Sequence, residues 1–245
     1  MATYNCWMGW IPYEAGGGNE YLNPAGLSVM GDSGRAYGMY QFDYRAGLVP
    51  FMQSCVAYNS TRYAGFNQYI ALGSGNTALV NNSNLHALFQ GYASSYTAEF
   101  QYLQDVEGIT RYLEPIINYV QQNYGYSLVN RGPYVLGSAF SMAIRSGPNI
   151  AYQFFANGAS MAVPTLLNQA YTMQGNLYYD NGRWDVTVPN PGYSQYQRLQ
   201  NDMANLSSLY IIPYGGVVPP GPPHGYRGKL PIWMMLNKNY RVERK

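Results

Sequence analysis

The sequence predicts a mainly α (α+β) domain: a helical body with a small N-terminal β-lobe, one late β-hairpin and an extended C-terminal arm. Three observations carry that expectation. Apolar residues recur at helical spacing along much of 85–174. Glycine-rich breaks and short mixed runs crowd the stretch between 15 and 47. After residue 212 proline and glycine take over.

Taken in order, residues 3–14 place Tyr4, Trp7, Met8 and Ile11 at helix-like spacing, ending near Pro12 and Glu14. Ala15-Gly16-Gly17-Gly18-Asn19 then breaks the pattern. Leu22–Met30 and Ala36–Phe42 read as the small β-region, with Gly31-Asp32-Ser33-Gly34 as the turn between them. From Gly47 the pattern becomes helical.

The clearest helix runs from Leu85 to about Leu103, because Leu85, Leu88, Phe89, Tyr92, Tyr96, Phe100 and Leu103 share one face. Asn84 is its expected N-cap. Pro115 and Pro133 each open a further helix, as proline is tolerated in a first turn, and Gly147 stops the second of these. Shorter helical pieces fit 148–156, 164–174 and 194–209. Between the last two, Asn181-Gly182 flanked by Tyr, Trp and Val predicts a hairpin over 176–188. Pro213 to Pro223 reads as a stiff extended linker, followed by the apolar Leu230–Leu236 hook. The expected division is a body over 1–212 and an arm over 213–245.

Composition narrows the function. The chain is 47% hydrophobic, ample for a core, yet holds 27 tyrosines and only 11% charged residues. Such a surface suits carbohydrate, whose rings stack on aromatic faces while its hydroxyls meet amides. It also suits packing in a large assembly, where few charges need desolvation. Charge is divided unevenly. Residues 1–226 hold eight arginines, no lysine and eleven acids, whereas 227–245 hold six cations and one acid. The basic arm is therefore a separate piece, suited to docking on neighbouring subunits or an acidic polymer.

Several classes are disfavoured. Cys6 and Cys55 are too few for a disulfide framework and read as two free buried thiols. A cysteine peptidase needs an imidazole beside the thiolate, but His86 falls within a helix and His224 within the linker. Two isolated histidines cannot build a zinc amidase. No glycine-rich loop leads into Lys-Ser/Thr, so no phosphate cradle is expected. The N-terminal residues lack a basic n-region and cleavage signature, so no signal peptide is expected. No apolar run reaches the roughly 20 residues of a membrane span.

One segment concentrates chemistry. From Gly31 to Gln41 the chain reads Gly-Asp-Ser-Gly-Arg-Ala-Tyr-Gly-Met-Tyr-Gln, with Glu14 and Glu20 shortly upstream. Cleaving a glycosidic bond requires a proton donor and commonly a second carboxylate. Glu14, at the end of the expected first helix and near Trp10 and Ile11, would be kept protonated by burial and by the negative helix terminus. Asp32 is the natural second carboxylate, though Asp-Ser-Gly is also an ordinary turn. Tyr37, Tyr40 and Gln41 would line the cleft floor, and Arg145 would pair with a cleft acid or cap its helix.

This run of Glu, then Asp-x-Gly, then Tyr-Gly-x-x-Gln resembles lysozyme-like cell-wall hydrolases, especially phage tail lysins and endolysins. Glu14-Ala-Gly-Gly looks like the Glu-x-Gly-Gly of phage muramidases. Glu20 before Asn23-Pro24 looks like the Glu-x-x-Asn-Pro of soluble lytic transglycosylases, so it rivals Glu14 as the acid. Gly38-Met39-Tyr40-Gln41 is close to the transglycosylase Gly-Leu-Met-Gln motif, which assigns Gln41 to sugar binding. The resemblance covers about residues 5–60 and continues to about 150 only as a helical pattern.

The resemblance implies a lysozyme-like fold, a glycosidase acting on bacterial peptidoglycan, and neither cofactor nor metal. It implies residence in the phage virion, tail-associated, or release to the host wall. The arm would meet tail subunits, and nucleic acid is not the expected partner. The competing expectation is a structural or wall-binding tail component that keeps the fold without the activity.

Overall fold

A computed structural model describes residues 3–10, 25, 27–29, 35–180, 191–207 and 209–213. The fold is mainly helical, with two small antiparallel sheets. Strand β1 (Thr3–Trp7) is followed by the short pair β2 (Leu27–Val29) and β3 (Arg35–Tyr37). The helical body follows as α1 (Leu48–Tyr58), α2 (Ser83–Ser95), α3 (Thr97–Gly108), α4 (Glu114–Tyr124), α5 (Pro133–Ser146), α6 (Val163–Asp180) and α7 (Pro191–Asn205). Strand β4 (Leu209–Pro213) closes the order.

The helix boundaries follow local chemistry. Asn82 caps α2 by accepting a 3.0 Å bond from the Leu85 amide. Asn84, the expected cap, already lies inside the first turn. The single helix expected over 85–103 is two: Tyr96 leaves helical geometry at φ −134° and ψ 42°. Thr97 Oγ1 bonds back to the Ala93 carbonyl at 2.8 Å, competing with the helical ladder where it breaks. Pro115 and Pro133 do stand in the first turns of α4 and α5. Gly125, in the left-handed region at φ 73°, ends α4.

Two larger expectations are also corrected. Residues 3–7 form a strand and not the start of a helix. Their partner is β4, in the register Thr3 to Pro213 through Trp7 to Leu209, so a pairing across almost the whole chain overrides the local spacing. The strand lies on α5 so closely that a Cβ on Gly137 would come within 2.1 Å of the Trp7 carbonyl oxygen. Trp7 Nε1 donates to Asp202 on α7 at 2.7 Å, which ties the sheet to the helix before β4. The second correction concerns the hairpin over 176–188. Residues 176–180 are the last turn of α6, while 181–190 lie outside the described residues.

The final helix ends at Asn205, earlier than the 209 expected, and β4 extends to Pro213, the first residue of the expected linker. The arm over 214–245 lies outside the described residues.

The core is aromatic. Phe42, Phe51, Phe89 and Phe100 form one chain of rings, with Phe42 and Phe51 stacked at 4.8 Å and Phe89 meeting Phe100 edge-on at 4.9 Å. Trp10, Tyr40 and Phe140 form a second group, with Tyr40 stacked on Phe140 at 5.2 Å. Much of the tyrosine enrichment is thus structural, since Tyr37, Tyr40 and Tyr63 are all buried.

Candidate functional site

Strands β2 and β3 pair as Leu27 with Tyr37, Ser28 with Ala36 and Val29 with Arg35. The last pair brackets residues 30–34, which include Asp32. Asp32, Glu14 and Glu20 all lie outside the described residues. What the structure does define is the turn that follows. Tyr37 and Phe42 exchange backbone bonds at 3.1 and 2.9 Å, closing a loop over residues 38–41. Gly38 at φ 71° and Gln41 at φ 54° supply the two left-handed residues that the loop requires.

This loop is clamped onto α3. The buried Gln104 accepts a 2.8 Å bond from the Met39 amide through Oε1. A Cβ on Gly38 would sit 2.1 Å from that same oxygen, so a glycine is required for the approach as well as for the φ. Next along the helix, Tyr40 donates its hydroxyl to Asp105 Oδ1 at 2.5 Å. Tyr40 is 0% and Asp105 1% exposed. Gly108 completes the seat, as any Cβ there would enter the Tyr40 ring.

The expected cleft residues therefore separate. Tyr37 is 1% exposed and meets Phe89 edge-on at 5.1 Å, so neither tyrosine offers its face to a sugar, and the floor expected of Tyr37 and Tyr40 is corrected to core. The sharp reversal at 38–41 turns both rings inward. Gln41 is 8% exposed and donates Nε2 to the Gly38 carbonyl at 2.9 Å, bracing the turn. Its left-handed backbone is costly for a residue with a side chain. Arg145 stands half-buried in the last turn of α5, on a different element from the loop. The helix whose negative end was to act on Glu14 is replaced by β1, so that part of the expected pKa argument falls away.

Sequence reasoning missed the acids of α3. Four of the chain's 12 acids fall between 99 and 114, three of them on this helix, and that density in a charge-poor chain was the available signal. Glu99 receives the Tyr63 hydroxyl at 2.8 Å and pairs with Arg62, whose guanidinium lies 4.4 Å from the Tyr96 ring centroid. Burial, reinforced by the bond to Glu99, pushes the Tyr63 phenol well above its usual range, while Arg62's own hydrogen bond to Glu99 pushes the guanidinium up.

Glu107 accepts from Ser54 Oγ at 2.9 Å and from Arg111 Nε and a terminal guanidinium nitrogen at 3.0 and 2.6 Å. Arg111 sits on a π-helical turn, Ile109–Leu113, that follows α3. Glu99, Asp105 and Glu107 are all buried and partnered, which suits holding the helix in place more than meeting a substrate.

Cys6 and Cys55 are buried free thiols, as expected. Burial pushes both up, and Glu107 and Glu99 add to the effect on Cys55. A thiol so placed forms little thiolate, which argues against a cysteine nucleophile. No cluster of three or more metal-binding side chains occurs among the described residues. No helix among them is long and apolar enough to cross a membrane. Compared with known proteins, the chain matches no family model and no curated protein sequence.

Proposed function

We propose that the chain is a peptidoglycan hydrolase of the phage tail lysin or endolysin type, with a lysozyme-like fold, that cuts the glycan strand. Glu14 or Glu20 is the general acid, and Asp32 stabilises the positive charge at the anomeric carbon or orients water. In the transglycosylase variant of this chemistry one glutamate serves as acid and then base, and Asp32 is not needed as base.

The observation that carries the reading is the α3 clamp. The chain commits a buried glutamine, a buried aspartate and two glycines to fixing residues 38–41, immediately after the segment bearing Asp32. Fixing a loop this firmly on a rigid helix is what a catalytic constellation needs from its support. The mainly helical body with a small antiparallel pair beside the loop is compatible with the fold. Gln41, held in a left-handed conformation next to the clamp, fits a residue retained for sugar binding at a cost in backbone strain.

Purified protein should clear a Gram-positive wall preparation and release new reducing ends or anhydro-sugars, identified by mass spectrometry. Glu14→Gln or Glu20→Gln should abolish clearing, and the one that does is the acid. Retention of full clearing by both variants overturns the assignment. Binding to walls without clearing by the unaltered protein would replace it with an attachment role.

A further inference from the structure

Three tyrosines outside the core gather in one place. Tyr119 and Tyr124 on α4 and Tyr152 on the one-turn helical segment after α5 meet as a surface trio. Tyr152 lies between the other two, with ring centroids 5.5 Å from Tyr119 and 5.9 Å from Tyr124 and interplanar angles of 42° and 36°. All three rings are half-buried, and Tyr124 and Tyr152 also pack against the core, so the group is held in place while part of it meets solvent. Burial and the neighbouring Tyr152 push the Tyr124 phenol up.

The surroundings share this character. Gln122 stands three residues from Tyr119 on α4 and is exposed; Asn149 and Gln153 flank Tyr152 and are exposed as well. In an α-helix, residues three apart share a face. The chain carries no charged residue from 115 to 130, nor from 146 to 179. An aromatic surface, ringed by amides that both donate and accept, on segments that carry no charged residue, is matched to a neutral, hydroxyl- and acetamido-bearing polymer. It is poorly matched to nucleic acid or an acidic lipid, which demand cations.

The geometry points to a second glycan-binding surface at Tyr119, Tyr124 and Tyr152, separate from the 31–41 segment, that holds the neutral glycan strand of the cell wall by ring stacking. It rests on the glycan reading above for the choice of polymer, but not on which acid is catalytic or on catalysis itself. On an insoluble substrate such a surface keeps the enzyme on the strand between cuts.

The test uses the full chain carrying Glu14→Gln and Glu20→Gln together, so that binding is read without turnover. Tyrosine rings are isotope-labelled, and their resonances are assigned by single Tyr→Phe changes. On addition of N-acetylglucosamine hexamer, the Tyr119, Tyr124 and Tyr152 signals should shift. Tyr152→Ala should weaken retention on peptidoglycan glycan strands about fivefold to tenfold, the scale of one lost stacking contact. Tyr152→Phe should retain binding, since the ring face does the holding. Gln153→Ala, at an exposed position where folding is safe, should weaken retention about twofold.

Ring signals that stay put, with retention unchanged in Gln153→Ala, overturn the proposal even if Tyr152→Ala fails to fold. So does a concentration-dependent self-association that Tyr152→Ala abolishes while glycan retention is unchanged, which would make this face a contact between copies. If the unaltered protein fails to clear walls but the three rings still shift, the cleavage reading falls and this surface stands.

Discussion

Helix α3 is gripped differently along its length. Gln104 and Asp105 hold the 38–41 loop through an amide and a phenol in surroundings closed to water. Glu107, less than a turn further on, is held by Ser54 and by Arg111, whose side chain is 27% exposed. The contrast teaches where stability resides. A buried polar group that loses its partner bears the whole desolvation penalty, whereas a solvated ion pair that is lost is largely replaced by water. The loop side of α3 should therefore tolerate almost nothing, and the arginine side rather more, provided the buried Glu107 position keeps a polar side chain.

The contrast can be broken most severely at Gly38. Gly38→Ala forces a side chain into Gln104 and into a left-handed backbone, and should cost about 3 kcal/mol or more of unfolding free energy in urea. Asp105→Ala strands the Tyr40 hydroxyl and opens a void, for a loss of about 2–4 kcal/mol by the same measurement. If either variant unfolds at the native midpoint, the clamp is not what fixes the loop.

The Glu99 end should answer to alkali. The folded Tyr63 phenol titrates above its ordinary 10.0, so the folded state keeps a proton that the unfolded chain gives up. That contribution is complete below the ordinary value and is lost as pH rises above it. Melting temperature should fall on the alkaline side in the native protein and less steeply in Tyr63→Phe, followed alongside tyrosinate absorbance. An equal slope in both would remove Tyr63 from the account.

The smallest effects belong to conservative change in the half-buried Arg111 pair and to Gln41. Glu107→Gln should cost about 1 kcal/mol or less, and salt should reduce the difference. Gln41→Gly removes one bond but relieves the left-handed backbone, leaving stability within about 1 kcal/mol. Wall clearing should nevertheless drop sharply in Gln41→Gly. Full activity in that variant would show that the strained residue serves only the turn.

What was legible in the sequence follows from how far each cause reaches. Pro115, Pro133 and Gly147 act within a turn or two of themselves, and each marks its boundary correctly. The break at Tyr96 depends on the Thr97 hydroxyl turning back, a choice that apolar periodicity does not register. β1 reads as a helix because its partner is β4, at the other end of the described chain. The chemistry-bearing loop is legible as a glycine turn, but not its burial, because tyrosine serves core and surface alike. Its direction is set by Gln104 and Asp105, some 65 residues away.

The pairing of Thr3 with Pro213 has a mechanical consequence. Because β1 and β4 are antiparallel, the start of one and the end of the other lie at the same end of the ladder. Tension applied between the chain before residue 3 and the chain after 213 loads the backbone bonds one at a time, as a zipper is loaded, and not all together in shear. A domain anchored through both of those points would open first at this edge, releasing Trp7 from Asp202 before the helices feel the pull.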